Sequence, residues 1–176
     1  RLFLLAATCA GYVAGTWPTE QPDWGKPRFS GKRVLITGGD SGIGFAAAEA
    51  FYLECAHVIL SGHSEPKSKL AAQSIASLAV PAACKDSLPS VTWMAADISN
   101  TTEVQALMKF AVEQHNGLDV AVNNAGTGSA GHDIGQPGFV QPDGSLYGET
   151  VLDINLDGTL KCMNAQIRHW LDAKQP

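Results

Sequence analysis

From Arg33 onward, short unbroken apolar runs alternate with longer stretches whose apolar residues recur every three or four positions. Arg33–Thr37 (RVLIT), His57–Ser61 (HVILS), Val91–Ala95 (VTWMA) and Leu118–Asn123 (LDVAVN) are too short for helices and read as strands buried on both faces. Gly42–Cys55 is Ala-rich, with Phe45, Ala48, Phe51 and Tyr52 at helical spacing. Ser64 is placed to cap a helix from about Pro66 to Val80, with Leu70, Ser74 and Leu78 on one stripe. Asn100 and Glu103 form a capping box ahead of the stripe Val104, Leu107, Met108 and Ala111, and Asn116-Gly117 ends that helix. After a Gly-rich stretch at about 127–147, Leu152, Asn155, Thr159, Met163, Ile167 and Trp170 trace one face of a long helix reaching about Ala173.

Strands that are apolar on both faces, separated by helices, require a parallel sheet covered on both sides. The fold class is therefore α/β: a Rossmann-like doubly wound parallel sheet of about four strands. Ahead of it, Leu2–Thr19 carries no charge, and residues 1–17 are expected to form an apolar helix. Three readings of that helix stand side by side: a membrane anchor, the remnant of a secretory or transit segment, and a buried or interfacial helix. Gly11-x-x-x-Gly15 is a small-residue stripe of the kind that brings membrane helices together, although chance also produces it in Ala/Gly-rich sequence. Residues 18–31, with three prolines and two glycines, form a linker, and residues 32–176 form the nucleotide-binding domain.

Charge divides along the same boundary. The 176 residues hold 12 basic and 17 acidic groups, a net charge of -5. Residues 1–33 are nonetheless net positive, through Arg1, Lys26, Arg28, Lys32 and Arg33. The acidic remainder argues against nucleic acid as a partner. The basic cluster after the apolar run would keep the domain on a cytoplasmic or matrix-like side of a mitochondrial or endoplasmic reticulum membrane. Cys9, Cys55, Cys84 and Cys162 include no C-x-x-C pair, and the five histidines show no metal-ligand spacing, so no metal site is expected. The cysteines suffice for disulfides, but a chain this long buries a core without them.

The first strand runs into Thr37-Gly38-Gly39-Asp40-Ser41-Gly42-Ile43-Gly44 and then a helix. Glycines let the backbone turn sharply and bring its N–H groups close to a pyrophosphate, which the helix N-terminus also favours. With Asp97 after the third strand (AADIS), Asn123-Asn124-Ala125-Gly126 after the fourth and Asn155 in INLDGT, the chain resembles the short-chain dehydrogenase/reductase family over about residues 31–173. The resemblance implies that Gly38, Gly42 and Gly44 line the pyrophosphate, with contacts from Ser41 and Ile43. It implies that Asp97 lies beside the adenine, that Asn123, Asn124, Ala125 and Gly126 border the ribose, and that Asn155 helps organise a proton relay. The cofactor it implies is NADP or NAD. The second strand ends in Ser61-Gly62-His63-Ser64 with no acid to take a ribose 2′-hydroxyl, and His63 and Lys67 suit a 2′-phosphate, so the sequence leans to NADP.

The family's acid/base chemistry needs a Ser and a Tyr with a Lys four residues later. Four residues after Tyr12, Tyr52 and Tyr147 stand Thr16, Ala56 and Val151. Of the catalytic set, only Asn155 has a match. Three functions are therefore weighed, the last of them a soluble nucleotide-sensing module. The first is a structural or accessory subunit that retains NAD(P) binding and joins protein partners in a membrane assembly through residues 2–17. The second is the N-terminal half of an active, membrane-anchored NADP-dependent oxidoreductase. The edge of the fourth strand (residues 118–126) and the last helix (residues 147–173), which lacks part of its packing layer, are the expected partner contacts.

Overall fold

A computed structural model describes residues 27–128 and 151–173. The helix expected over 1–17, most of the 18–31 linker and nearly all of the Gly-rich 127–147 stretch lie outside the described residues. The strands are β1 (Arg33–Thr37), β2 (His57–Gly62), β3 (Ser90–Ala95) and β4 (Val120–Asn123), and all pairings are parallel in the order β3-β2-β1-β4. The helices are α1 (Gly42–Leu53), α2 (Glu65–Ala76), α3 (Thr101–His115) and α4 (Thr159–Asp172), the last preceded by a π-helical stretch, Asp153–Gly158. No described helix is long and apolar enough to cross a membrane.

Alternation along the two central strands builds two cores. Val34, Ile36, Val58 and Leu60 face α1 and α2, where Ala48, Tyr52, Ala71, Ala72 and Ile75 fill the layer. Leu35 and Ile59 face the other way, onto Leu107, Met108, Ala111 and Leu118. Trp170 of α4 packs against this second layer and donates its indole N–H to the Leu118 carbonyl at 2.7 Å.

The chain ends of α3 follow the sequence signals. The Asn100 side chain accepts from the N–H groups of Thr102 and Glu103, and Asn116 sits at φ 56°, closing the helix in the left-handed region. Glu103 departs from a reciprocal capping box: its carboxylate accepts from the Asn100 side-chain amide and from the Asp97 N–H rather than from the Asn100 N–H. Two other expectations need correction. Ser64 occupies the N-cap of α2 but its side chain makes no capping bond. The buried face of α2 is Ser68, Ala71, Ala72 and Ile75, whereas Leu70 is exposed. Ile75 is the one large side chain on that face, packed with Val58 and Leu60 of β2, while Ser68, Ala71 and Ala72 are small.

On α4 and the turns before it, Leu152, Leu156, Leu160, Met163, Ile167 and Leu171 are all exposed, while Gly158, Cys162 and Gln166 face inward. The sequence left the pairing of the cysteines open. Cys55, just after α1, forms a disulfide with Cys84 in a short 3₁₀ turn (Ala82–Cys84) that connects α2 to β3. Cys162 is free and buried.

Candidate functional site

The C-terminal ends of the strands open into a cavity of about 510 Å³, lined among others by Gly38, Ser41, Gly42, Ile43, His63, Asp97, Asn124, Ala125 and Gly126. It thus brings together most of the residues that the sequence nominates for cofactor contact. Lys67, offered with His63 for a 2′-phosphate, is in the lining too, and Asp40 and Gly62 join it.

The floor is the turn between β1 and α1. Gly38 and Gly42 have φ of +62° and +53°, a backbone region that side chains disfavour. A Cβ built on Gly42 meets nothing within 4 Å, so that glycine leaves its backbone bare toward open space. Gly44 works differently: a Cβ there would overlap the Gly38 carbonyl. The first turn of α1 holds no acidic residue, so within the helix itself nothing offsets the partial positive charge of its N-terminus.

Thr37 and Asn124 hold the cavity's shape. The Thr37 hydroxyl accepts from the N–H groups of Asn124 (3.1 Å) and Ala125 (3.2 Å). The Asn124 side-chain amide donates to the carbonyls of Thr37 and Gly38, both at 3.2 Å. The end of β4 is thereby fastened to the glycine turn. Asn123 is turned elsewhere. Its side chain exchanges two 2.9 Å hydrogen bonds with Gln166 of α4, away from the cavity lining.

Asp97 sits at the cavity wall, where its carboxylate accepts from the N–H and hydroxyl of Ser99. It is both the acidic loop residue ahead of a helix and a member of the lining. Asn155 lies in the π-helical stretch, a distortion common where helices serve a site. Its side chain accepts from the Thr127 N–H at 2.7 Å and donates to the Thr127 carbonyl at 2.9 Å. Asp40 was not singled out by the sequence. Its carboxylate packs directly on Gly62, at the end of β2, and its Oδ2 is buried with no hydrogen-bond partner. Nothing in the pattern TGGDSGIG alone distinguishes a solvated turn aspartate from one folded inward. Among the described residues, no group of three or more His, Cys, Asp or Glu is placed to hold a metal ion.

These features fit a dinucleotide. A bare backbone with free N–H groups at a helix start suits a pyrophosphate, and a buried unpaired acceptor beside it suits a donor hydroxyl.

The comparisons agree with the geometry. Residues 32–176 match the model of the short chain dehydrogenase family. A glucose 1-dehydrogenase of Gluconobacter oxydans is 33% identical over 154 residues, which are 84% of this chain and 50% of that protein. Short-chain dehydrogenase reductase 5 of Arabidopsis thaliana is 33% identical, over 80% of this chain and 44% of its own length. Among solved structures, a short chain dehydrogenase from Mycobacterium smegmatis superposes with a TM-score of 0.67 at 29% identity, covering 82% of this chain and 54% of that one. A 3-ketoacyl-(acyl-carrier-protein) reductase from Brucella melitensis, solved in complex with NADH, superposes with a TM-score of 0.65 at 27% identity, over 82% and 53%. The chain spans about half the length of the relatives it matches.

Proposed function

Because the chain belongs to the short-chain dehydrogenase family and has its NAD(P)-binding fold, we propose that it supplies the dinucleotide-holding half of an oxidoreductase that moves hydride between a nicotinamide cofactor and a carbonyl or alcohol. The carrying observation is the turn Gly38–Gly44, bare toward the cavity at Gly42 and sterically closed beneath at Gly44. Gly38, Ser41 and Gly42 would hold the pyrophosphate by backbone N–H groups at the start of α1. Asp97 and Ile98 would border the adenine, and Asn124 to Gly126 the nicotinamide-side ribose. The cofactor supplies the hydride chemistry when bound. This chain's part is to bind it, orient it and exclude water along the sheet's end. Isothermal titration calorimetry of the 176-residue chain with NAD and NADP tests the reading. Saturable binding that Gly42→Val removes from a folded protein is the expected result, and equal binding by wild type and variant overturns it.

A second reading, an accessory subunit held in a membrane assembly, is favoured by a separate observation. The apolar stripe from Leu152 to Leu171 is exposed, and among the described residues β4 pairs with β1 alone. Free strand edges and contiguous apolar faces are places where partner chains dock. Residues 2–17 would provide the membrane contact, by their lack of charge. Of a mitochondrial and an endoplasmic reticulum location, the Cys55–Cys84 disulfide supports an oxidising lumen at the latter. That would set the domain opposite to the side expected from the basic cluster. Light scattering on residues 24–176 tests the partner requirement: a stable, monodisperse monomer that unfolds cooperatively refutes it.

A further inference from the structure

We propose that Asp40 selects the dinucleotide, accepting a hydrogen bond from the adenosine ribose 2′-hydroxyl and excluding a 2′-phosphate, so that the chain binds NAD in preference to NADP. The inference rests on the dinucleotide reading of the cavity above. It reverses the direction suggested by His63 and Lys67.

The placement follows from the strand order. β2 lies between β1, whose turn would hold the pyrophosphate, and β3, whose following loop carries Asp97 on the adenine side. The sugar joining those two parts must pass over the end of β2. That end is Gly62 and His63, with no acid of its own. Gly62 is where the acid is missing and also where space is left: a Cβ there would overlap the Asp40 carboxylate. The carboxylate therefore reaches the end of β2 from the neighbouring turn, across a residue without a side chain.

Its Oδ2 is buried and unpartnered. A buried acceptor left without a donor is unfavourable, and a hydroxyl brought by a ligand corrects that. A phosphate, mostly dianionic at neutral pH, brings almost no such donor and sets up to two negative charges directly beside the carboxylate. His63 and Lys67 offset this little, because both are exposed and their charges are screened by water.

The test is calorimetric titration of the full chain, wild type and variants, with NAD and with NADP, after thermal melts confirm that each variant folds. The wild type is expected to bind NAD at least about tenfold tighter, the scale of a like charge set beside a bound anion. Asp40→Asn and Asp40→Ser should shrink that ratio by raising NADP affinity, and Gly62→Ala should shrink it by displacing the carboxylate. Equal affinities in the wild type, or preference for NADP, overturn the role of Asp40 and leave the dinucleotide reading intact. An unchanged ratio in folded Asp40→Asn also overturns it. Absence of binding by both cofactors overturns the dinucleotide reading itself, and this inference with it.

Discussion

Asn155 and Thr127 hydrogen-bond each other in both directions, the Asn155 side chain accepting from the Thr127 N–H and donating to its carbonyl. An amide side chain thus serves both the N–H and the carbonyl of Thr127, four residues after β4. It fixes the wall of the cavity formed by Gly126 and Thr127, 28 residues away in sequence. Asn155→Ala is expected to destabilise the chain by about 1 kcal/mol, since the pair is exposed to water. Its larger effect is local: the Thr127 amide should exchange with solvent markedly faster while amides of β1 and β2 keep their rates. Hydrogen exchange by mass spectrometry or NMR reads this directly, and uniform acceleration would contradict a local role.

The glycines of the turn should separate binding from folding. Gly44→Ala places a methyl group on the Gly38 carbonyl and is expected to cost roughly 2–3 kcal/mol as an overpacked contact. Gly42→Ala meets no atom and pays only for its positive φ, about 1 kcal/mol. Denaturant melts should therefore show Gly42→Ala folded and Gly44→Ala much weaker, although both lose affinity for dinucleotide.

Acid should unfold the protein in two stages. The Arg33 guanidinium, bonded to both oxygens of Asp119 at 2.6 and 2.9 Å, holds that carboxyl down at about 2. The unfolded chain binds the proton first, so this contribution is complete above pH 4 and is lost as pH falls from about 4 to 2. It amounts to roughly 1–2 kcal/mol after allowing for partial exposure. His115 is depressed by burial, then by stacked His57 and by Arg33. Its neutral form belongs to the folded state, so stability also declines as pH falls below the ordinary histidine value of about 6.5. Chemical denaturation from pH 8 to about 2 should show both declines. Asp119→Asn should remove the lower one and leave the upper.

Reduction should weaken one corner of the fold. The Cys55–Cys84 bridge closes a loop 29 residues apart that contains β2 and α2. Releasing it is expected to cost roughly 3 kcal/mol through the freed unfolded chain. Thermal melts with and without reductant measure this, as does Cys84→Ser. Burial pushes the Cys162 thiol up to about 11, so native protein should alkylate there slowly and unfolded protein fast.

Much of the architecture was legible because it depends on short-range pattern. Strand positions, the capping of α3 by Asn100, and the left-handed Asn116 follow from alternation and local hydrogen bonding. The glycine turn was legible because steric need restricts its residues. What escaped the sequence depends on what lies across the sheet. The inward face of α2 is set by how the helix is rotated onto β2, which turns Ile75 in and Leu70 out. Asn123 turned from the cavity because Gln166, 43 residues later, offers a complementary amide. Asp40 carries no local signal of its inward turn, because the space it fills is left by Gly62 of the neighbouring strand.

The two ends of the sheet hold different chemistry. Arg33 and His57 open β1 and β2 beside His115 and Asp119, while Thr37 and Gly62 close the same strands at the cavity. Four residue steps along β1 put about 13 Å between them. At that separation neither group touches an anion at the glycine turn, and water at the strand ends weakens what field remains. A charge gained by His115 or lost by Asp119 is thus felt more by the fold than by such an anion. Acidity can loosen the domain without first changing how tightly it grips a dinucleotide, and sequence change at either end is free to proceed without retuning the other.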